Sequence, residues 1–190
     1  MIRFADPSLA MRVWPKAGDS QVAQVALILA GTLLLAASAR LQVPFWPVPM
    51  TMQTFVVLGI AAACGARLAG ATVLAYLAQG AAGLPVFAAG GGLVYLAGPT
   101  GGYLVGFLMA AILVGAMADR GHCRTAGSTL AVFLVGLVTI YAFGVGWLAV
   151  LFGGSVAIAN GLLPFLLAET VKLALAVAVF PAAWRLAKRC

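Results

Sequence analysis

Hydrophobic residues run through this chain in long blocks, without the alternation of a half-buried strand or the one-sided stripe of a soluble helix, and polar residues gather between the blocks. Blocks at about 22–39, 50–64, 68–82, 102–118, 128–152 and 164–187 predict six membrane-spanning helices, because a helix needs roughly 20 apolar residues to cross the hydrocarbon layer. The second and third blocks are short by that measure. The loops beside them are therefore expected to dip into the membrane and meet at one cavity.

The interruptions between blocks carry their own signals. From Arg40 to Pro49 the chain reads Arg-Leu-Gln-Val-Pro-Phe-Trp-Pro-Val-Pro, a helix-breaking loop that sets amphipathic rings at a membrane boundary. Between Gly83 and Gly106 lies a glycine-rich stretch that cannot be helix throughout. Its triplet Gly90, Gly91 and Gly92 allows close backbone approaches, and Gly98-Pro99-Thr100-Gly101 reads as a turn before a new helix. No charge occurs from Gln79 to Ala118, which favours a loop folded over the protein at a ligand site, with a plain connection as the alternative. Gly153-Gly154-Ser155 opens another uncharged connection.

Composition makes the class plain: of 190 residues, 64% are hydrophobic and 8% charged, an all-α integral membrane protein forming a single domain over 1–190, with residues 1–20 as a tail. A net charge of +7 would suggest nucleic acid in a soluble chain, but here the cations flank apolar blocks. Arg3, Arg12, Lys16, Arg67, Arg120, Arg124, Arg185, Lys188 and Arg189 fall on one side of a six-span topology and only Arg40 on the other. Cytoplasmic segments hold the basic excess, so both termini are expected in the cytoplasm of a multi-pass protein of the inner cell membrane. Ala37-Ser38-Ala39 has the form of a signal-peptide cleavage site, but the long leading tail with two aspartates argues against one.

Catalytic signatures are missing. Without a Gly-Lys dipeptide there is no Walker loop, and neither a His-Glu-x-x-His pair nor a Gly-x-Ser-x-Gly elbow occurs. His122-Cys123 beside Asp119 cannot complete a zinc site, and Cys64, Cys123 and Cys190 all fall at cytoplasmic ends, where thiols stay reduced. No enzymatic activity, cofactor or metal is expected.

Within the last span, Glu169 and Lys172 stand at i and i+3 on one face. Ionisable groups in a span face the protein interior and mark a ligand site or pathway by default, with a structural ion pair as the alternative. Small residues form stripes at Ala23, Ala26, Ala30 and Ala37 and at Gly102, Gly106 and Ala110, suited either to packing inside the bundle or to docking of a partner subunit.

Gly83-Leu-Pro-Val-Phe87, Gly98-Pro-Thr-Gly-Gly-Tyr103 and Pro44-Phe-Trp-Pro-Val-Pro-Met-Thr-Met-Gln-Thr54, followed by the Pro164 to Lys172 segment, resemble the BioY family. These are the biotin-specific substrate-binding S components of energy-coupling factor transporters. The resemblance implies a six-helix S-component fold, capture of biotin from outside, and coupling to a transmembrane T subunit with two cytoplasmic ATPases, so that the chain needs no Walker loop of its own. It implies walls from Phe45, Trp46, Phe87, Tyr95 and Tyr103, with Gln53 and Gly91 also at the substrate. Glu169 is expected to accept from the ureido N–H, Lys172 to donate to the ureido carbonyl and Arg40 to meet the carboxylate, the last two open to exchange. Glu169 departs from the aspartate usual in the family. Ala26 and Ala30 match the small-residue surface by which S components dock. A stand-alone carrier or channel for another small solute or vitamin is the alternative.

Overall fold

Apolar blocks in lipid leave backbone groups no partner but one another, and the chain answers with helix nearly throughout. In the computed structural model, which describes residues 8–15 and 20–187, the chain runs through α1 (Leu9–Val13), α2 (Gln21–Arg40), a two-stranded antiparallel hairpin of β1 (Gln42–Val43) and β2 (Met50–Thr51), and α3 (Gln53–Ala81). There follow α4 (Leu93–Ala97), α5 (Gly101–Asp119), α6 (Ala126–Phe152), α7 (Gly154–Gly161), a 3-10 turn (Leu163–Phe165) and α8 (Leu166–Ala187). Among the described residues, five stretches are long and apolar enough to cross a membrane: Gln21–Arg40, Gln53–Ala81, Gly101–Asp119, Ala126–Phe152 and Gly154–Ala187.

The second of these is not a rod. Gln53 Nε2 donates to the Tyr76 hydroxyl at 2.7 Å, whereas a straight helix would hold these residues ~35 Å apart. The chain reverses at Gly65, whose φ of 79° and ψ of 174° leave the helical region. Asp119, at the end of α5, fastens the reversal by accepting the Ala66 N–H at 3.0 Å. A Cβ on Gly65 would stand 2.1 Å from Asp119 Oδ1, so both the φ and the space require glycine. The two arms of α3 lie where spans 50–64 and 68–82 were expected.

Several boundaries differ from those expectations. Residues 50–51 pair as a strand, Gln42 opposite Thr51 and Val43 opposite Met50, so the second helix starts only at Gln53. The segment after Phe152, expected as a connection, is largely the helix α7, and the last helix starts at Leu166, after a 3-10 turn containing Pro164. The tail is not loose throughout: Leu9 of α1 is buried, and the Arg12 and Arg124 guanidiniums lie 5.6 Å and 4.9 Å from the Trp184 ring of α8. Arg3, Lys16, Lys188, Arg189 and Cys190 lie outside the described residues.

α5 packs between α3 and α6, and the core of fully buried Val57, Ala61, Val73, Ala110, Val114 and Ile140 sits among them. Outward faces are as apolar as the core, with Leu33, Val138, Val150 and Val171 exposed, which suits lipid. The two small-residue stripes part company here. Gly102, Gly106 and Ala110 are buried, with Gly106 against the Ile140 backbone of α6, whereas Ala26, Ala30 and Ala37 are exposed on α2 and only Ala23 of that stripe is covered.

Candidate functional site

At the end of the bundle opposite Gly65, three connections close over a cavity of ≈ 40 Å³. The hairpin contributes Val48, Pro49 and Thr51, the start of α3 contributes Gln53 and Thr54, and the glycine-rich loop contributes Phe87, Ala88, Tyr95 and Thr100. The walls below are Tyr103, Leu104 and Phe107 of α5, Tyr141 of α6, Phe165 and Glu169.

Glu169 and Lys172 are buried, at 5% and 7% exposure, so each charge needs partners. Glu169 Oε1 accepts from Lys172 Nζ at 2.8 Å, Thr54 Oγ1 at 2.9 Å and the Tyr141 hydroxyl at 3.2 Å. Among the described residues its Oε2 receives only a shared contact from Thr54, at 3.1 Å. Lys172 Nζ also donates to the Thr51 carbonyl at 2.7 Å and to Thr54 Oγ1 at 2.9 Å, which uses its three N–H bonds. One ammonium thus ties α8 to β2 and to the start of α3, while the carboxylate forms part of the cavity wall.

Six aromatic rings line the cavity, and five of them pack on an aromatic neighbour. Phe87 meets Tyr76 edge-on at 5.4 Å and carries Tyr95 stacked at 5.1 Å, while Tyr141 stands edge-on to Tyr103 at 5.9 Å and to Phe165 at 6.1 Å. The Tyr103 hydroxyl donates to the Gly161 carbonyl at 2.7 Å, fastening the end of α7 to α5. Tyr76, in turn, donates to the Val86 carbonyl at 3.0 Å and so anchors the glycine-rich loop.

Of the residues singled out in the sequence, Gln53, Phe87, Tyr95, Tyr103 and Glu169 come together around this cavity. Lys172 stands behind Glu169 and faces an outer groove that it shares with Phe45. Phe45 packs on Phe165 at 6.3 Å, and Trp46, 72% exposed, rests edge-on against Phe152 at 5.8 Å. Arg40 ends α2 with its side chain exposed and donates to the Pro85 carbonyl, clamping the glycine-rich loop from outside. Gly91 borders a recess above the cavity, where a Cβ would come within 2.2 Å of the Leu84 carbonyl oxygen. Thr54, Thr100, Phe107, Tyr141 and Phe165 line the cavity without having been singled out. For Tyr141 a signal existed: a hydroxyl inside a span is costly unless it faces a partner.

Known proteins share both sequence and fold with this chain. The sequence model described as the BioY family matches residues 11–189. A probable biotin transporter BioY of Pyrococcus horikoshii is 38% identical over 157 residues, covering 82% of this chain and 93% of that relative. The biotin transporter BioY of Thermotoga maritima is 39% identical over 157 residues, covering 80% and 92% respectively. A crystal structure of the S-component for biotin from an ECF-type ABC transporter matches with a TM-score of 0.75 over 88% of this chain and 92% of that one; at 24% identity it establishes the fold.

Proposed function

The chain belongs to the BioY family, and from that premise we propose that it is a biotin-binding S component, capturing biotin from the outer side of the cytoplasmic membrane for delivery through an energy-coupling factor transporter. The observation that carries the reading is a buried carboxylate in the wall of an aromatic cavity, with one oxygen left open to a ligand donor. An ionised carboxyl group has roughly four lone-pair sites, and Oε1 takes three donors while Oε2 takes one shared contact. Glu169 Oε2 therefore accepts a ureido N–H in this reading. Lys172 reaches the ureido carbonyl by exchanging its bond to the Thr54 hydroxyl, and Phe87, Tyr95, Tyr103 and Tyr141 flank the bicyclic ring. Arg40 keeps guanidinium N–H groups beyond the one given to Pro85, and these meet the carboxylate at the mouth.

The charge distribution supports the orientation. Arg67, Arg120, Arg124 and Arg185 gather toward the Gly65 end and Arg40 stands at the cavity end, so the cavity opens outward and the Gly65 end is cytoplasmic. Ala26 and Ala30 present the exposed face of α2 to the T subunit, and the ATPases work on the cytoplasmic side. Calorimetric titration of the purified protein in detergent with biotin, beside thiamine and riboflavin, tests the assignment. Submicromolar binding of biotin alone is the expected result, and a folded protein that releases no heat with biotin, or binds thiamine equally, overturns it. ATP-independent biotin uptake by this chain alone would remove the transporter complex from the reading.

A further inference from the structure

The cavity at Glu169 holds ≈ 40 Å³, against the roughly 300–1,000 Å³ of a cleft that takes a small organic ligand, so a solute enters only when a wall moves. Two larger spaces adjoin it. One is the outer recess of ≈ 460 Å³ between the tip of the hairpin and α4; the other is a lateral groove of ≈ 790 Å³ between the hairpin and α8.

The partitions differ in how they are fastened. Thr51 alone lines both the cavity and the lateral groove. It is pinned by pairing with Gln42, by Lys172 at its carbonyl, and at its hydroxyl, which accepts the Gln53 N–H at 3.3 Å and meets Gln53 Oε1 at 3.4 Å. Pro49, Tyr95 and Thr100 line both the cavity and the outer recess. Among the described residues neither the Tyr95 nor the Thr100 hydroxyl has a hydrogen-bond partner, and the Tyr95 ring is held by its stack on Phe87, 23° from parallel. Phe87 is the fixed member of that stack, 1% exposed and wedged against Tyr76. Tyr95 rides on α4, a helix of five residues preceded by Gly90 and Gly92 at φ of 133° and 97°.

We infer that Tyr95 is the gate of the solute site: its ring leaves Phe87 to join the outer recess to the inner cavity, and returns to close it. The inference rests on reading the cavity as the solute site and adds the route and the moving part. Entry is thus from the outer surface between the hairpin tip and α4, and the lateral groove stays shut behind Thr51.

The test needs no solute. Leu104, 4% exposed in the cavity wall, is replaced by cysteine, and its reaction with the small cationic thiol reagent MTSET is timed in the purified full chain. Tyr95→Ala should speed that reaction roughly 2- to 13-fold, the factor expected from loss of one aromatic stack. Tyr95→Phe should leave it unchanged, as should Val171→Trp, which fills the lateral groove. An unchanged rate in Tyr95→Ala, or a rate that Val171→Trp slows, overturns the inference. Native Cys123, 1% exposed at the far end, reports on folding; if it reacts in Tyr95→Ala, the smaller change Tyr95→Leu carries the same two outcomes. A chain that fails to bind biotin refutes the proposed function, and the labelling rates still decide the gate.

Discussion

Replacing Lys172 by methionine keeps most of the side-chain volume and removes one charge with its three hydrogen bonds. The Thr51 carbonyl loses its Lys172 donor, and Glu169 loses the only cation within bonding distance among the described residues. Stranding one member of a buried pair costs about 3–5 kcal/mol, softened here because the hydroxyls of Thr54 and Tyr141 still reach the carboxylate. Thermal unfolding in detergent should therefore fall by several degrees while the helical signal persists. If Lys172 also donates to the ureido carbonyl, a charge-assisted bond worth about 1.5–3 kcal/mol disappears, and biotin affinity drops roughly 10- to 150-fold. Stability and affinity fall together in this variant, so alone it does not separate a ligand reader from a structural tie. The double variant Glu169→Leu/Lys172→Met separates them. With both charges gone no buried ion is stranded, and most of the lost stability should return. Biotin binding should not, because the proposed acceptor and donor for the ureido ring have both been removed. Melting curves and calorimetric titrations on the parent, the two single variants and the double variant complete the measurement. A stable double variant that binds biotin as the parent does would refute the assignment of this pair to the ligand.

Three further perturbations test separate links. Tyr141→Phe removes one hydroxyl from Glu169 Oε1 and leaves the ring in place; biotin should bind several-fold more weakly by titration, with the melting temperature nearly unmoved. Ala26→Trp or Ala30→Trp, on the exposed face of α2, should abolish ATP-driven uptake while the purified variant still binds biotin, and joint loss of both would make the stripe internal packing. Burial pushes the Cys123 thiol up to about 12 from its ordinary 9.0, so the thiolate is scarce at pH 8 and becomes abundant only as the pH approaches that raised value. Maleimide at pH 8 should therefore leave Cys123 unmodified until detergent denaturation exposes it, and rapid labelling of the native protein would contradict its placement.

What could be read along the chain and what could not follow from where each instruction lies. Apolar blocks announce helices because lipid forbids unpaired backbone, and Glu169 announces a site because a lone carboxylate in a span needs a reason. Both are local signals. The reversal of α3 falls in the gap between the expected spans 50–64 and 68–82, but the group that fixes it at Gly65, Asp119, lies 53 residues beyond Ala66. The hairpin followed the same rule: its prolines showed that a helix stops, but Thr51, which pairs with Gln42, is also held at its carbonyl by Lys172 of α8, far along the chain. Side-chain direction was the least legible property. Phe45 and Trp46 sit in the right loop, yet their rings turn outward to Phe165 and Phe152, while Val48 and Pro49 beside them face the cavity. In a soluble loop, exposure would bias such large rings inward. Here the loop stands at a membrane boundary, where amphipathic rings lose that bias, and packing against α6 and the Leu163–Phe165 turn decides. The same loss of bias hid Tyr141 among the apolar residues of α6. Polar atoms are consequently the reliable witnesses in this fold: Gln53, Thr54, Tyr103, Tyr141, Glu169 and Lys172 each had to find a partner, and the partners they found outline the site.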